Sequence, residues 1–140
     1  MEKITFTCED VEMPSLDFDF VRGWIGEVVA SHGRLVGPLS YCFCDDETIL
    51  RVNREFLQHD YYTDIITFDY SRRKFVSGDM YISLDTVKSN AEQLGQSYDR
   101  ELMRVIIHGV LHLCGINDKG LGGREIMESH EDGALKLAGL

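Results

Sequence analysis

The chain has little of several things that would place it in other classes. Its 140 residues hold only two prolines, and no repeat, linker or low-complexity tract interrupts them, so one ordered domain spanning 1–140 is expected. No apolar run approaches the roughly 20 residues that a membrane-spanning helix needs. The start, Met1-Glu2-Lys3-Ile4-Thr5, lacks the basic stretch and long apolar segment of a secretory signal. A cytoplasmic protein without a membrane partner is expected. Cys8, Cys42, Cys44 and Cys114 show no CxxC spacing, so buried thiols are the expectation, with Cys42 and Cys44 on one face of a strand.

Basic residues are also scarce. Fourteen Lys and Arg against 24 Asp and Glu leave a net charge of −10, which argues against broad, non-specific nucleic-acid binding. A local basic patch, or a metal that binds phosphate, remains compatible with it. Arg72-Arg73-Lys74 is the only dense basic run, and it reads equally as a solvated loop between strands or as a functional feature.

The patterning that is present gives a fold class. Residues 2–8 alternate as a strand. After Pro14-Ser15, Phe20, Trp24, Ile25, Val28 and Val29 share a helical face that stops at Gly33. Residues 39–44 read as a second strand. Asp45 caps a helix that runs to Leu57. Residues 65–70 and 78–83 are two further strands with a short connection, hence an antiparallel pair. Ser83 caps a helix ending at Gly95, Ser97 opens a long one ending near Cys114, and a last helix covers 123–138. The class is α+β: a single domain with a mixed sheet of about four strands and about five helices.

The long helix carries the chemistry. His108 and His112 are four apart, so their rings leave one face a single turn from each other. Two imidazoles so placed can share one Zn²⁺, and a catalytic zinc wants a third protein ligand and an open position. Gly115 can turn the chain back and bring Asp118 to the same ion, which would put the metal site at the end of this central helix. His130 is a further candidate, on a separate helix. His32 and His59 read as loop or helix-end residues. Zinc peptidases place a glutamate after the first histidine as general base; here that position is Gly109, which has nothing to take a proton.

The segment His108-Gly-Val-Leu-His112-Leu-Cys-Gly-Ile-Asn-Asp118 resembles the hallmark H-G-x-L-H-L-x-G-x-D-H of the YbeY family of bacterial endoribonucleases. Asn53-Arg54-Glu55-Phe56, then Thr63-Asp64-Ile-Ile-Thr-Phe68, resembles the family's N-R-E-[YF] and T-D-V-L-S-F block. Gly78-Asp79-Met-Tyr-Ile82-Ser83 is similar to its G-D-I-x-I-S strand. The resemblance implies a zinc-dependent, single-strand-preferring endoribonuclease. It would act in 16S rRNA 3′-end maturation and ribosome quality control, with RNA and small-subunit ribosomal proteins as partners. His108 and His112 would be metal ligands. The family's third ligand is a histidine where this chain has Asp118, an anionic donor that lowers the charge of the site and acidifies a bound water less.

The family's arginine after N-R-E-[YF] is Leu57 here, so Arg54 or the 72–74 run would have to supply the cation. Thr63, Asp64 and Ser83 are candidates for shaping the RNA cleft, each with a turn or cap role as the alternative. Asp79 is a candidate to orient a ligand histidine, or a plain turn residue. Two other functions remain open: a peptidase-like zinc hydrolase, and a non-catalytic ribosome-associated protein whose structural metal is closed by His130 or Cys114.

Overall fold

The structure, a computed structural model, describes residues 3–58, 63–117 and 119–140. Among the described residues the α-helices and strands follow in the expected order: β1 (Ile4–Cys8), α1 (Phe18–Ser31), β2 (Leu35–Cys44), α2 (Asp46–Val52), β3 (Ile65–Asp69), β4 (Phe75–Ser83), α3 (Leu84–Leu94), α4 (Tyr98–Leu113) and α5 (Gly123–Leu137). The strands form one sheet in the order β1-β2-β4-β3. β1, β2 and β4 run parallel, and β3 pairs antiparallel with β4.

Period-two alternation gives the sheet two different faces. In β4, Val76, Gly78, Met80 and Ile82 are buried, whereas Phe75, Ser77, Asp79 and Tyr81 point the other way. α1 and α4 cover the first face, and α3 and α5 pack on α4. α2 covers part of the second face, where Ile49 and Val52 meet Cys44 and Ile66. Trp24 ties α1 to α5 by donating its indole N–H to the Ala134 carbonyl at 2.7 Å.

Three elements depart from the sequence expectation. β2 and β4 begin earlier, at Leu35 and Phe75, because the cross-strand pair Leu35–Phe75 extends the ladder past a bulge between Val36 and Leu39. The helix capped by Asp45 stops as an α-helix at Val52 and widens into a π-helical turn, Asn53–Leu57, ending on Gln58 in the left-handed region. The cysteines also differ. Cys44 alone is buried, and burial pushes its thiol pKa up to about 12. Cys42 and Cys114 are half-buried and Cys8 is exposed.

α4 is the central helix, with ten buried residues among its 16. It sits close to the sheet at Gly109, where an added Cβ would lie 2.7 Å from Met80 Sδ and 2.9 Å from Ile65 Cδ1. Gly109→Ala is therefore expected to overpack this contact and destabilise by about 1–3 kcal/mol, measured as a shift in the urea midpoint with unchanged slope. An unchanged midpoint would show that Met80 moves aside at no cost.

Candidate metal centre

α4 folds because an apolar stripe (Leu102, Val105, Ile106, Val110, Leu113) must be buried and Ser97 caps its first turn, accepting from Arg100 N. The polar residues interleaved with that stripe then fall on the side facing α3 and α5. His108 lies there, half-buried. Its Nδ1 lies 2.7 Å from Oε2 of Glu131, a residue of α5 that is 3% exposed. A carboxylate can only accept, so Nδ1 carries a proton, and in the neutral ring the lone pair is then on Nε2. Nε2 is thereby the nitrogen that a metal would take. A carboxylate behind a metal-binding imidazole fixes the ring and raises its basicity.

Glu131 is itself held. Arg104, one turn before His108, approaches both Glu131 oxygens at 3.3 Å. The same guanidinium grips Glu101 with Nε at 2.8 Å and Nη2 at 2.6 Å, and lies 3.5 Å from Asp64 Oδ2. Glu101 is 0% exposed and also accepts from Gln96 Nε2 at 2.6 Å. Hydrogen bonding to Glu101 and the charges of Glu131 and Asp64 raise the Arg104 pKa, against the opposing effect of burial. The result is a chain of contacts, Glu101–Arg104–Glu131–His108, running from the buried face of α4 to the ring.

Glu131→Gln is expected to weaken zinc affinity by about 10–100-fold, because an amide oriented to accept from Nδ1 is a weaker acceptor and leaves its NH₂ facing Arg104. Competition with a chromophoric chelator measures this; an affinity within twofold of the parent would mean the contact does not serve the metal.

His112 is exposed and lies one turn on. It lines a cavity of about 310 Å³ with Asp69, Gly115, Ile116, Asn117 and Lys119. His108 lines a separate cavity of about 630 Å³ between α3, α4 and α5, together with Arg100, Arg104 and Arg124. α4 carries both histidines one turn apart, each lining its own cavity. Asp118 lies outside the described residues, as does His59. Among the described residues no group of three or more potential ligands gathers.

The other candidates are placed as follows. Asp79 is on the sheet face turned away from α4, where its Oδ1 accepts from Ser40 Oγ at 2.7 Å; the period of β4 separates it from His108, whose carboxylate neighbour is Glu131 instead. Ser83 caps α3, accepting from Thr86 N and donating to Asp46 Oδ1 at 2.6 Å. Thr63 Oγ1 lies 3.4 Å from the Ile65 carbonyl, a local turn contact. Asp64 does reach the polar network, through Arg104 and through Asn90 Nδ2 at 3.3 Å. Arg54 is in the π-helical turn and lines a third cavity with Asp10, Asp45, Thr48 and Arg51, apart from both histidine cavities. His130 packs against His32 with ring centroids 5.2 Å apart, in a different cavity again.

Glu131, Arg104 and Glu101 were not singled out in the sequence, although a signal was there. Met127, Glu131, Ala134 and Leu135 form the buried stripe of α5, so Glu131 is a carboxylate on an apolar face. Glu101 is likewise a charged residue inside the buried face of α4. Such residues are buried only when paired.

Comparison with known proteins decides the lineage. The profile described as Endoribonuclease YbeY matches residues 4–139. The chain belongs to the YbeY endoribonuclease family. A YbeY of Phocaeicola vulgatus is 61% identical over 137 residues, covering 98% of this chain and 99% of that protein. One of Bacteroides thetaiotaomicron is 58% identical over 134 residues, covering 96% and 98%. Both carry the name Endoribonuclease YbeY. A solution structure of a Thermotoga maritima protein shares the fold, with a TM-score of 0.65 at 22% identity, over 94% of this chain and 88% of that one. Within this YbeY chain the α+β class, the four-stranded mixed sheet and the five α-helices are as the sequence implied. Among the described residues no helix is long and apolar enough to cross a membrane.

Proposed function

We propose that this YbeY chain is a metal-dependent endoribonuclease acting on single-stranded RNA in the maturation of 16S rRNA, built as one domain over 1–140. His108, His112 and Asp118 would hold a single Zn²⁺. The observation that carries the reading is the 2.7 Å contact between His108 Nδ1 and Glu131, which would orient the first imidazole of an i, i+4 pair as a ligand. The donor set, two neutral imidazoles and a carboxylate, suits zinc.

When bound, the ion supplies Lewis-acid polarisation of a phosphoryl oxygen and acidifies a water. The chain's own residues do the rest. Glu131 holds the proton on His108 Nδ1, and Arg104 holds Glu131. Gly109 keeps α4 pressed to Met80 and Ile65. A glutamate there, as in the zinc peptidases, would have to displace Met80 and Ile65, and without it the peptidase reading lacks its base. A closed structural site is also unsupported: His130 packs on His32, and Cys114 is half-buried, its thiol pKa raised by burial. Cytoplasmic location and contact with small-subunit ribosomal proteins follow from the same reading.

The test is to incubate the zinc-loaded protein with a labelled single-stranded RNA and, separately, with casein. Internal RNA cleavage with intact casein is expected. Cut casein with intact RNA would reject the proposal.

A further inference from the structure

The basic residues of this acidic chain are unevenly placed. Lys3, Arg34, Arg72, Arg73, Lys74 and Lys119 are six of its 14 lysines and arginines, and the stretches 28–44 and 70–78 contain no carboxylate. The fold brings these six to one end. Arg72, Arg73 and Lys74 are exposed at the tip of the β3–β4 hairpin, where Arg72 and Phe75 pair. Leu35 N donates to the Lys74 carbonyl at 2.8 Å, which sets Arg34 beside the tip. Arg34 Nη1 in turn reaches the Cys114 carbonyl at 3.4 Å, at the end of α4 that bears His112. Lys119 lines the His112 cavity, and so does Asp69, the last residue of β3 before the hairpin. Among the described residues no carboxylate pairs with Arg72, Arg73 or Lys74.

Aromatic surface accompanies the charge. Tyr70 is 56% exposed and Phe75 46%, with Leu35 at 52% paired to Phe75 across the strands. Tyr70 N donates to the Ser77 carbonyl, so both rings rise from the sheet face turned away from α4. α2 packs on the far part of that face. Lys3 Nζ stands 5.9 Å from the Phe75 ring centroid. Exposed rings bordered by unpaired cations are the combination that holds single-stranded nucleic acid: bases stack on the rings and phosphates meet the cations.

We propose that the β3–β4 hairpin is a docking site for single-stranded RNA, with Tyr70 and Phe75 stacking bases and Arg72, Arg73 and Lys74 contacting phosphates. Arg34 and Lys119 continue the path to the His112 cavity. This rests on the endoribonuclease reading and gives it a substrate track in which a cation run takes over part of what Leu57 lacks. An anionic lipid surface or an acidic protein would satisfy the charges alone; the rings on a sheet face favour a nucleic acid.

The two claims are separable by measuring binding without cleavage. Fluorescence anisotropy of a labelled single-stranded RNA of about 20 nucleotides is followed with the chelator-treated full chain, across a salt series. Arg72→Ala/Arg73→Ala/Lys74→Ala is expected to bind about tenfold more weakly and to lose about 2 from the log–log salt slope, at about 0.7 per phosphate contact on a single strand. Tyr70→Ala/Phe75→Leu, which keeps an apolar side chain beside Lys3, is expected to lose about tenfold at unchanged slope. Circular dichroism checks that both variants fold. Parent-like affinity and slope in both variants would overturn the docking site, as would no RNA binding by the parent. Retention by phosphatidylserine vesicles without RNA binding would do the same in favour of a membrane. Cleavage by the metal-loaded parent is scored separately, so a failed nuclease and a failed docking site give different results.

Discussion

Replacing His112 with alanine is expected to lower zinc affinity by more than about 100-fold and to abolish RNA cleavage at ordinary zinc levels. The bound is set by comparison: a group that merely hydrogen-bonds a ligand is worth about 10–100-fold, and His112 would be a ligand. The fold should survive, because His112 is exposed and α4 is anchored by its apolar face. Metal content after gel filtration, by elemental analysis, gives the first readout, and unfolding temperature without metal gives the control. Equal zinc in parent and variant would remove His112 from the site. The same substitution at His108 should add a stability loss, since it strands Glu131, which is 3% exposed, with Arg104 as its remaining partner.

The second large effect is structural. Arg104→Met is expected to destabilise by about 3–5 kcal/mol, the range for removing one member of a buried ion pair. Glu101 is the reason. Its carboxylate is 0% exposed and takes both Nε and Nη2 of Arg104, so the variant leaves a buried charge with only Gln96 and Asn90 as donors. For a chain of this size that corresponds to roughly 10–20 °C in unfolding temperature. The double variant Glu101→Leu/Arg104→Met removes both charges of that pair and should recover part of the loss, the remainder being the cost of leaving Glu131 without Arg104. Thermal unfolding by circular dichroism measures both. A single variant within a few degrees of the parent would mean that water reaches Glu101. The zinc affinity of Arg104→Met should also fall, because Glu131 loses the guanidinium that positions it.

The boundaries of α3 and α4 were legible because each rests on local signals, a Ser cap and a glycine stop. Ser83, Gly95 and Ser97 do what their types predict. The π-helical turn at Asn53–Leu57 was not legible, since its residues continue a helical pattern; in the structure its Phe56 meets Phe68 edge-on. The histidine pair was read from spacing alone. Its support was not, because Glu131 is 23 positions from His108 and reaches it only once α5 packs on α4. Asp79 was an attractive partner on the grounds of its motif, but strand parity turned it away. The arginine run at 72–74 gained meaning only when the β2 and β4 ladder set Arg34, Leu35 and Phe75 beside it.

The most direct test of the metal-dependent nuclease is one cleavage assay on a single-stranded RNA under three conditions: purified protein, protein stripped by chelator and dialysed, and stripped protein given back one equivalent of zinc. Cleavage that disappears on stripping and returns with zinc is the predicted result. Cleavage that persists through stripping, at a rate unchanged by added zinc, would contradict it.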